Sequence, residues 1–327
     1  MTTSSPAQTS VTGSGNRATS GPIQPIEVPL WLGAERPGVE QAAAAIAAGL
    51  RQRWSVRQRP ELLNRLAIPI TIPVTTPADA HSRLHRQSLE FLDPIGAASR
   101  HMADEVDGAI RAGSLALVLG GDHAVSIGSI AGAARAAHPG KLGILWIDTH
   151  PDLNTPATSP SGHLHGMALA TALGQGGPDL AALHALGPPV AVADVCLLGV
   201  RDLDPGERAV IRDHDLWAMT MEEWTDSGLR AGLEAALAYL TARQVTAVHL
   251  SFDLDVLDPK LLPGTGTMVA GGLDFRETSQ VLRWLRAWDG PLRSIDWVEL
   301  NPSLDPSGWS TDTAIALLGT LLGETMR

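Results

Sequence analysis

Short apolar runs alternate along the chain with stretches that have the periodicity of amphipathic helices, and this alternation limits the possible folds most strongly. Runs such as "LALVL" (115–119) are apolar at every position, which is typical of strands in a parallel sheet covered by helices on both faces. We therefore predict a three-layer α/β/α fold with a central, mainly parallel sheet of about eight strands. The candidate strands are 23–32, 66–73, 115–119, 143–148, 194–200, 216–219, 247–253 and 292–300, and the candidate helices are 39–53, 95–112, 124–137, 226–243, 275–288 and 311–325.

The domain organisation is predicted to be simple. The 327 residues contain neither an internal repeat nor a second composition regime, and they suffice for one large α/β unit. Residues 1–22 are rich in Ser, Thr, Gly and Pro, which predicts a disordered tail. Residues 23–327 are predicted to form a single domain.

Charge and cysteine content narrow the possible partners. The formal net charge of −11 argues against nucleic acid and anionic membranes, which attract basic surfaces. No apolar stretch reaches the roughly 18 residues that a membrane span needs. Cys196 is the only cysteine and cannot form an internal disulfide, so we expect a reducing compartment, the cytoplasm.

Polar side chains that favour metals follow several of the predicted strands. "GGDH" brings His123 after one strand, "DTHPD" brings Asp148, His150 and Asp152 after another, and "DLD" brings Asp253 and Asp255 after a third. Side chains at alternate positions of extended backbone point to the same side. Because ligands bind beyond the carboxyl ends of strands in open α/β sheets, we expect these groups to converge at one edge.

The converging groups predict a pair of metal ions. Four carboxylates at one edge would repel one another, and some would have to stay protonated unless cations compensated them. Two divalent ions would use all four carboxylates and both imidazoles. Oxygen-rich ligation with some imidazole favours Mn²⁺ over Zn²⁺, with Fe²⁺, Co²⁺ or Ni²⁺ as alternatives. A single Asp-x-Asp is usually a loop or capping feature, but three such groups at three strand ends indicate a site. The lack of cysteine ligands favours a catalytic site over a structural one.

The motifs as a set resemble the ureohydrolase family, most closely its arginase branch. The resemblance covers most of the chain from about residue 38, in the family's order. Its segments are "GGDHAVSIGSI", "IDTHPDLNTP", "SGHLHGM", "GVRDLDPGE", "SFDLDVLDP", "GTGTMVAGGL" and "VELNPSLD". It implies the arginase-like fold, hydrolysis of L-arginine to L-ornithine and urea, two Mn²⁺ ions, and a homotrimer or homohexamer.

The resemblance also implies roles for individual residues. One manganese would be held by His123, Asp148, Asp152 and Asp253, and the other by Asp148, His150, Asp253 and Asp255. His165 matches the family's proton-shuttling histidine, and Glu299 matches the acid that holds the guanidinium. Asp152 is also placed to relay a proton to the leaving amine.

The same resemblance implies a substrate pocket for the amino-acid end. Asn154 and Ser161 match groups near the α-carboxylate, and Asp204, supported by Glu207, matches the acid that reads the α-amino group. Thr265 is expected to line the same pocket. His163 stands where arginases usually have Asn, and its imidazole can still donate a hydrogen bond to a carboxylate.

Other functions compete with this interpretation. Another ureohydrolase would act on agmatine, guanidinobutyrate or a related guanidine, for which the Asp204/Glu207 pair would have no purpose. A single-zinc deacetylase of related fold would not need the full set of acids. A non-catalytic metal-binding protein would not need His165 and Glu299.

Overall fold

The computed structural model of the chain describes residues 20–80 and 88–325. The predicted tail, residues 1–22, lies outside the described residues except for its last three positions. The division into a tail and a single catalytic domain stays a prediction.

In the described part of the chain, eight parallel strands form one sheet, in the order β2-β1-β3-β8-β7-β4-β5-β6, which confirms the predicted fold class. The order matters for the site, because β3, β8, β7, β4 and β5 are consecutive neighbours. The strands are β1 (Ile23–Glu27), β2 (Ile70–Thr71), β3 (Leu115–Leu119), β4 (Leu142–Ile147), β5 (Val195–Val200), β6 (Trp217–Thr220), β7 (Ala247–Asp253) and β8 (Leu292–Val298).

Helices cover both faces of the sheet, and a separate apolar core lies on each face. One core packs α1, α8, α9, α10 and α11 against the sheet; the other packs α3, α4, α5 and α6. The α-helices are α1 (Ala42–Val56), α2 (Pro60–Leu63), α3 (Leu92–Arg111), α4 (Val125–Ala137), α5 (Ala168–Ala172), α6 (Ala181–His184), α7 (Pro205–Asp213), α8 (Met221–Ser227), α9 (Leu229–Ala242), α10 (Phe275–Ala287) and α11 (Trp309–Leu322).

Most predicted elements are shifted by a few residues at their ends, and three differ from the prediction more strongly. The predicted strand 66–73 shrinks to Ile70–Thr71, where prolines on both sides (69 and 73) lack the N–H that a ladder needs. The predicted strand 23–32 ends at Glu27, two residues before another proline. The predicted helix 226–243 is divided at Gly228, whose φ of 90° no helix accommodates.

Helix α4 lies unusually close to α3. A Cβ atom added at Gly128 would lie 2.5 Å from the carbonyl oxygen of Ser99, and one at Gly132 would lie 2.5 Å from that of Ala103. Only glycine allows this approach. The separation of α4 from α3 is therefore tightly set, and α4 follows directly on His123.

Candidate metal centre

The carboxyl ends of three strands, β3, β7 and β4, bring the predicted metal-binding residues together. His123 follows β3, Asp148, His150 and Asp152 follow β4, and Asp253 is the last residue of β7. Two groups of possible ligands form there, one of His123, Asp148 and Asp152 and the other of Asp148, His150 and Asp255. Asp148 belongs to both groups, as a ligand bridging two ions would.

The imidazole of His123 is held so that one ring nitrogen faces the acids. Its Nε2 lies 2.7 Å from Oγ of Ser251, and its ring stacks on Trp146 at 4.2 Å between centroids. Its Nδ1 lies 3.1 Å from Oδ2 of Asp148, 3.1 Å from Oδ2 of Asp152 and 2.9 Å from Oδ2 of Asp253. None of these three contacts has the geometry of a hydrogen bond, so this buried nitrogen has no hydrogen-bond partner among the described residues.

Hydrogen bonds orient the second group. Nδ1 of His150 lies 2.9 Å from Oδ2 of Asp255. Asp148 accepts hydrogen bonds from the indole N–H of Trp146 at 2.9 Å and from the backbone N–H of His150 at 2.7 Å. Asp255 accepts one from Oγ1 of Thr267 at 2.8 Å. Partners of this kind fix the direction of a ligand's lone pairs.

The pKa values of the buried groups reveal their electrostatic conflict. Burial and the charge of Asp255 raise the pKa of Asp148 to about 7. Burial and the charges of Asp255 and Asp148 raise the pKa of Asp253 well above its ordinary value. Burial opposes charge on His150, but Asp255 outweighs it and raises the pKa of His150 to about 11. The cluster therefore holds more negative charge than its own residues can balance.

Divalent cations fit this set of donors. Adjacent ligands of an octahedral ion, each about 2.1 Å from it, lie roughly 3 Å apart, and the atoms around Nδ1 of His123 have this spacing. The donors are oxygens with one imidazole nitrogen per group, which suits Mn²⁺ and its neighbours in the first transition row. His123, His150 and Asp255 also line an open cleft, so substrate can approach the group.

Glu299 and His165 lie beside the metal-binding residues. Oε1 of Glu299 accepts a hydrogen bond from the backbone N–H of His123 at 2.7 Å and lies 3.4 Å from Nδ1 of His165. Burial disfavours the charged imidazole, but Glu299 outweighs it and raises the pKa of His165 to about 9. His165 is therefore poised as a proton donor at neutral pH.

Two of these acids have backbone conformations that L-residues rarely adopt. Asp152 has φ of 50° and Glu299 has φ of 64°, both in the left-handed region. Such residues cluster at functional sites, where the surrounding structure maintains the strain. The distortion aims both carboxylates into the cleft that they line.

A cleft of about 140 Å³ opens over these groups and includes most of the predicted substrate residues. In it, Nδ2 of Asn154 donates a hydrogen bond to Oδ2 of Asp204 at 2.8 Å. Ser161 lines this cleft and also an adjoining outer cavity of about 230 Å³, into which His163 projects. The ring centroids of His163 and His165 are 6.0 Å apart.

Glu207 connects the substrate residues to the metal ligands. Its buried carboxylate accepts hydrogen bonds from the backbone N–H groups of Leu153 at 3.1 Å and Asp204 at 2.8 Å. With Asp204 it forms the capping box that begins α7. Burial raises the pKa of Glu207 to about 7. It thereby ties the loop of Asp152 and Asn154 to Asp204.

The structure puts Thr267, rather than Thr265, in the cleft. Thr265 is buried and does not line the cleft, whereas Thr267 lines both cavities and holds Asp255. The repeated "GTGT" offers two equivalent threonines, and only the path of the loop distinguishes them. Sequence reasoning also missed Trp146, Ser251 and Arg201, which orient the site from strands and loops.

Comparison with known proteins now gives the family. The profile of the arginase family matches residues 25–323, which is nearly the whole described chain. The chain belongs to the arginase family. The arginase of Bacillus caldovelox is 40% identical over 309 residues, covering 93% of this chain and 99% of that protein. The arginase of Brevibacillus brevis is 37% identical over 302 residues, covering 92% and 97%.

Solved structures of arginases have the same fold. A crystal structure of the arginase of Bacillus subtilis superposes with a TM-score of 0.82 at 35% identity, covering 94% of this chain and 100% of that one. The predicted resemblance is thereby confirmed, and with it a family of hydrolases that act on the guanidino C–N bond. No helix in the described part of the chain is long and apolar enough to cross a membrane.

Proposed function

We propose that this member of the arginase family hydrolyses L-arginine to L-ornithine and urea with two bound Mn²⁺ ions. The observation that carries the proposal is Nδ1 of His123, a buried nitrogen that faces three carboxylates and hydrogen-bonds to none of them. Carboxylates packed this closely are compensated by cations held among them.

The proposed ligands divide into two overlapping sets. His123, Asp148, Asp152 and Asp253 would hold one ion, and Asp148, His150, Asp253 and Asp255 would hold the other. When bound, such ions lower the pKa of water towards neutrality and so supply a nucleophile for the guanidinium carbon. Co²⁺, Ni²⁺ or Fe²⁺ would suit the same donors.

Glu299 is proposed to bind and orient the guanidinium. A carboxylate pairs naturally with that planar fork of donors. The backbone N–H of His123 donates to its oxygen Oε1, so Glu299 would hold the substrate in a fixed position relative to a proposed metal ligand.

Two residues are proposed to move protons. Oδ2 of Asp152 lies 3.1 Å from Nδ1 of His123. After the water oxygen has bonded to the guanidinium carbon, Asp152 would take the proton that remains on that oxygen and pass it to the amine nitrogen as the C–N bond breaks. Glu299 raises the pKa of the His165 imidazole to about 9. His165 would either donate the next proton to the leaving amine or take up the proton that a newly bound water releases.

The amino-acid end of the substrate is proposed to lie towards α7. Asp204 would accept from the α-ammonium, with Glu207 holding its backbone in place. Asn154, Ser161 and His163 would donate to the α-carboxylate, and Thr267 replaces Thr265 as the threonine of the pocket. The Asn154–Asp204 hydrogen bond would open or rearrange to admit the substrate.

The domain organisation, oligomeric state and cellular compartment are proposed from the family resemblance and from the composition of the chain. Residues 23–327 would form one catalytic domain, and the family resemblance suggests a homotrimer or homohexamer. Cys196 is buried and unpaired, which suits a reducing, cytoplasmic location. Neither nucleic acid nor membrane is expected as a partner of so acidic a chain.

Urea production with Mn²⁺ tests the proposal on L-arginine, agmatine and guanidinobutyrate in parallel. Agmatine lacks the α-carboxylate and guanidinobutyrate lacks the α-amino group, so each removes one proposed contact. We expect the highest kcat/KM for L-arginine. A preference for either analogue would replace arginase with another ureohydrolase activity, and no urea from any substrate would contradict both.

A further inference from the structure

A fully buried polar network lies beneath the candidate metal centre, between the sheet and α4. We call it the α4 anchor; its members are Ser126, Ser129, His249, Ser294 and Asp296, all without solvent exposure. Oδ2 of Asp296 accepts hydrogen bonds from Oγ of Ser126 at 2.7 Å and Oγ of Ser129 at 2.6 Å. The same oxygen lies 3.1 Å from Nε2 of His249.

The α4 anchor connects three elements. Ser126 and Ser129 lie in the first turns of α4, His249 lies on β7, and Asp296 and Ser294 lie on β8. Nδ1 of His249 lies 2.8 Å from Oγ of Ser294, so both ring nitrogens have partners. Burial disfavours the charged carboxylate, but His249 and the two serines outweigh it and lower the pKa of Asp296. A carboxylate held in this way stays ionised.

Both ends of the anchor lead to His123. On the helix side, the backbone N–H of Ser126 donates to the carbonyl oxygen of His123 at 3.0 Å. On the sheet side, His249 lies two residues before Ser251 on β7, and Oγ of Ser251 lies 2.7 Å from Nε2 of His123. Ser251 is also paired with Asp296 across the sheet. The anchor thus fixes both supports of one imidazole.

Stability alone explains the anchor poorly. Buried charges cost desolvation energy, and well-packed apolar residues often replace them without loss of stability. The glycine contacts of α4 set its distance from α3. The hydrogen bonds to Asp296 are directional and tie the first turns of α4 to β8. They act at the N-terminal end of α4, which begins two residues after His123.

We propose that the α4 anchor positions His123 relative to Asp253 and thereby sets the affinity of the metal ion that His123 holds. The ion held by His150 should depend on it little, because that histidine follows β4 and is supported by Asp255 and Asp148. This inference rests on the proposed two-metal function. Asp296 and His249 are positioning residues in it, since neither touches substrate or metal.

The test measures Mn²⁺ binding by calorimetry on metal-free protein. The Ser126→Ala/Ser129→Ala double variant removes two hydrogen bonds and keeps the contact between His249 and Asp296, and Asp296→Asn removes the charge of the carboxylate. Loss of such supporting partners typically weakens metal binding about tenfold to hundredfold. We expect one of the two binding events to weaken by that factor and the other to change less than about twofold.

The assignment of the weakened event uses single-site backgrounds. In His150→Ala, where the ion near His123 remains, the serine substitutions should weaken binding. In His123→Ala, they should leave binding unchanged. Ser99→Ala is the matched control, because Ser99 is buried on α3 facing α4 and its hydroxyl has no hydrogen-bond partner among the described residues. It should alter neither event.

Two outcomes would overturn the inference. One is an equal loss of affinity for both ions. The other is unchanged Mn²⁺ affinity in a double-serine variant whose thermal stability has fallen, because the α4 anchor would then contribute only to stability. A wild-type protein that binds no second ion would instead contradict the proposed two-metal function. If Asp296→Asn does not fold, the milder serine variant decides the question.

Discussion

The carboxylate of Glu299 accepts a hydrogen bond from the backbone N–H of His123, with 2.7 Å between Oε1 and the nitrogen. The same oxygen lies 3.4 Å from Nδ1 of His165. One carboxylate therefore contacts both a proposed metal ligand and the proposed proton-transfer histidine, and is itself proposed to bind the guanidinium. A substitution at Glu299, His123 or His165 should therefore alter the positions of the other two side chains.

We predict that metal-free protein loses stability as the pH rises from about 4. The folded-state pKa values of Asp148, about 7, and of His150, about 11, are both raised. The folded state then binds more protons than the unfolded state between about pH 4 and 7 because of Asp148, and between about pH 6.5 and 11 because of His150. The free energy of unfolding therefore falls as the pH rises through both intervals. Saturating Mn²⁺ should reverse this trend, because it binds the deprotonated groups.

Thermal unfolding at several pH values, with chelator and with Mn²⁺, measures this effect. Asp253→Asn should remove most of the stabilisation by Mn²⁺, because Asp253 is proposed to hold both ions. A metal-free protein that becomes more stable between pH 5 and 8 would show that the cluster is not electrostatically frustrated.

We predict that His165→Asn retains both metal ions but loses rate. General acid–base catalysis by a positioned histidine contributes roughly 10²–10⁴-fold, and kcat should fall within that range. The measurement is kcat together with metal content by elemental analysis. His184→Asn is the control, because that histidine bonds the carbonyl oxygen of Gln175 away from the site. Loss of metal in His165→Asn would make His165 a ligand instead.

We predict that Asp204→Asn changes substrate preference. It removes the charge that would meet the α-ammonium but keeps a side chain able to cap α7. Asp204 is partly buried. A hydrogen bond to a charged group contributes about 1.5–3 kcal/mol, so kcat/KM for L-arginine should fall by about tenfold or more. Turnover of guanidinobutyrate, which lacks the ammonium, should change little. Asp213→Asn, at the exposed far end of the same helix, is the control. Equal losses on both substrates would remove Asp204 from recognition.

We predict that Arg201→Lys loosens the loop that carries Thr267. The guanidinium of Arg201 donates to the carbonyl oxygens of Asp255 at 2.9 Å, Val256 at 3.2 Å and Val269 at 2.8 Å. An ammonium cannot span this planar arrangement, and the lost bonds should cost about 1–3 kcal/mol of stability. Hydrogen exchange should increase in residues 264–269, and KM should rise. Arg230→Lys, an exposed helical ion pair with Glu234, should change neither.

The sequence predicted the parallel sheet and the converging ligands because both leave local signals. Apolar strands such as Leu115–Leu119 read directly as buried, and alternation within "DTHPD" shows which side chains share a side. The α4 anchor left no such signal. His249 and Asp296 meet only because β7 and β8 are neighbours, and the order of strands in a parallel sheet is set by long-range packing. The same holds for Thr267, which differs from Thr265 only in the path of its loop.

The left-handed backbone of Asp152 and Glu299 has a consequence for protein engineering. Glycine adopts such angles without strain, so Asp152→Gly would relax the main chain at the expense of a proposed metal ligand. Positions of this kind are where durability and activity compete. A screen for heat resistance carried out on metal-free protein would therefore favour glycine at these two sites and select inactive variants.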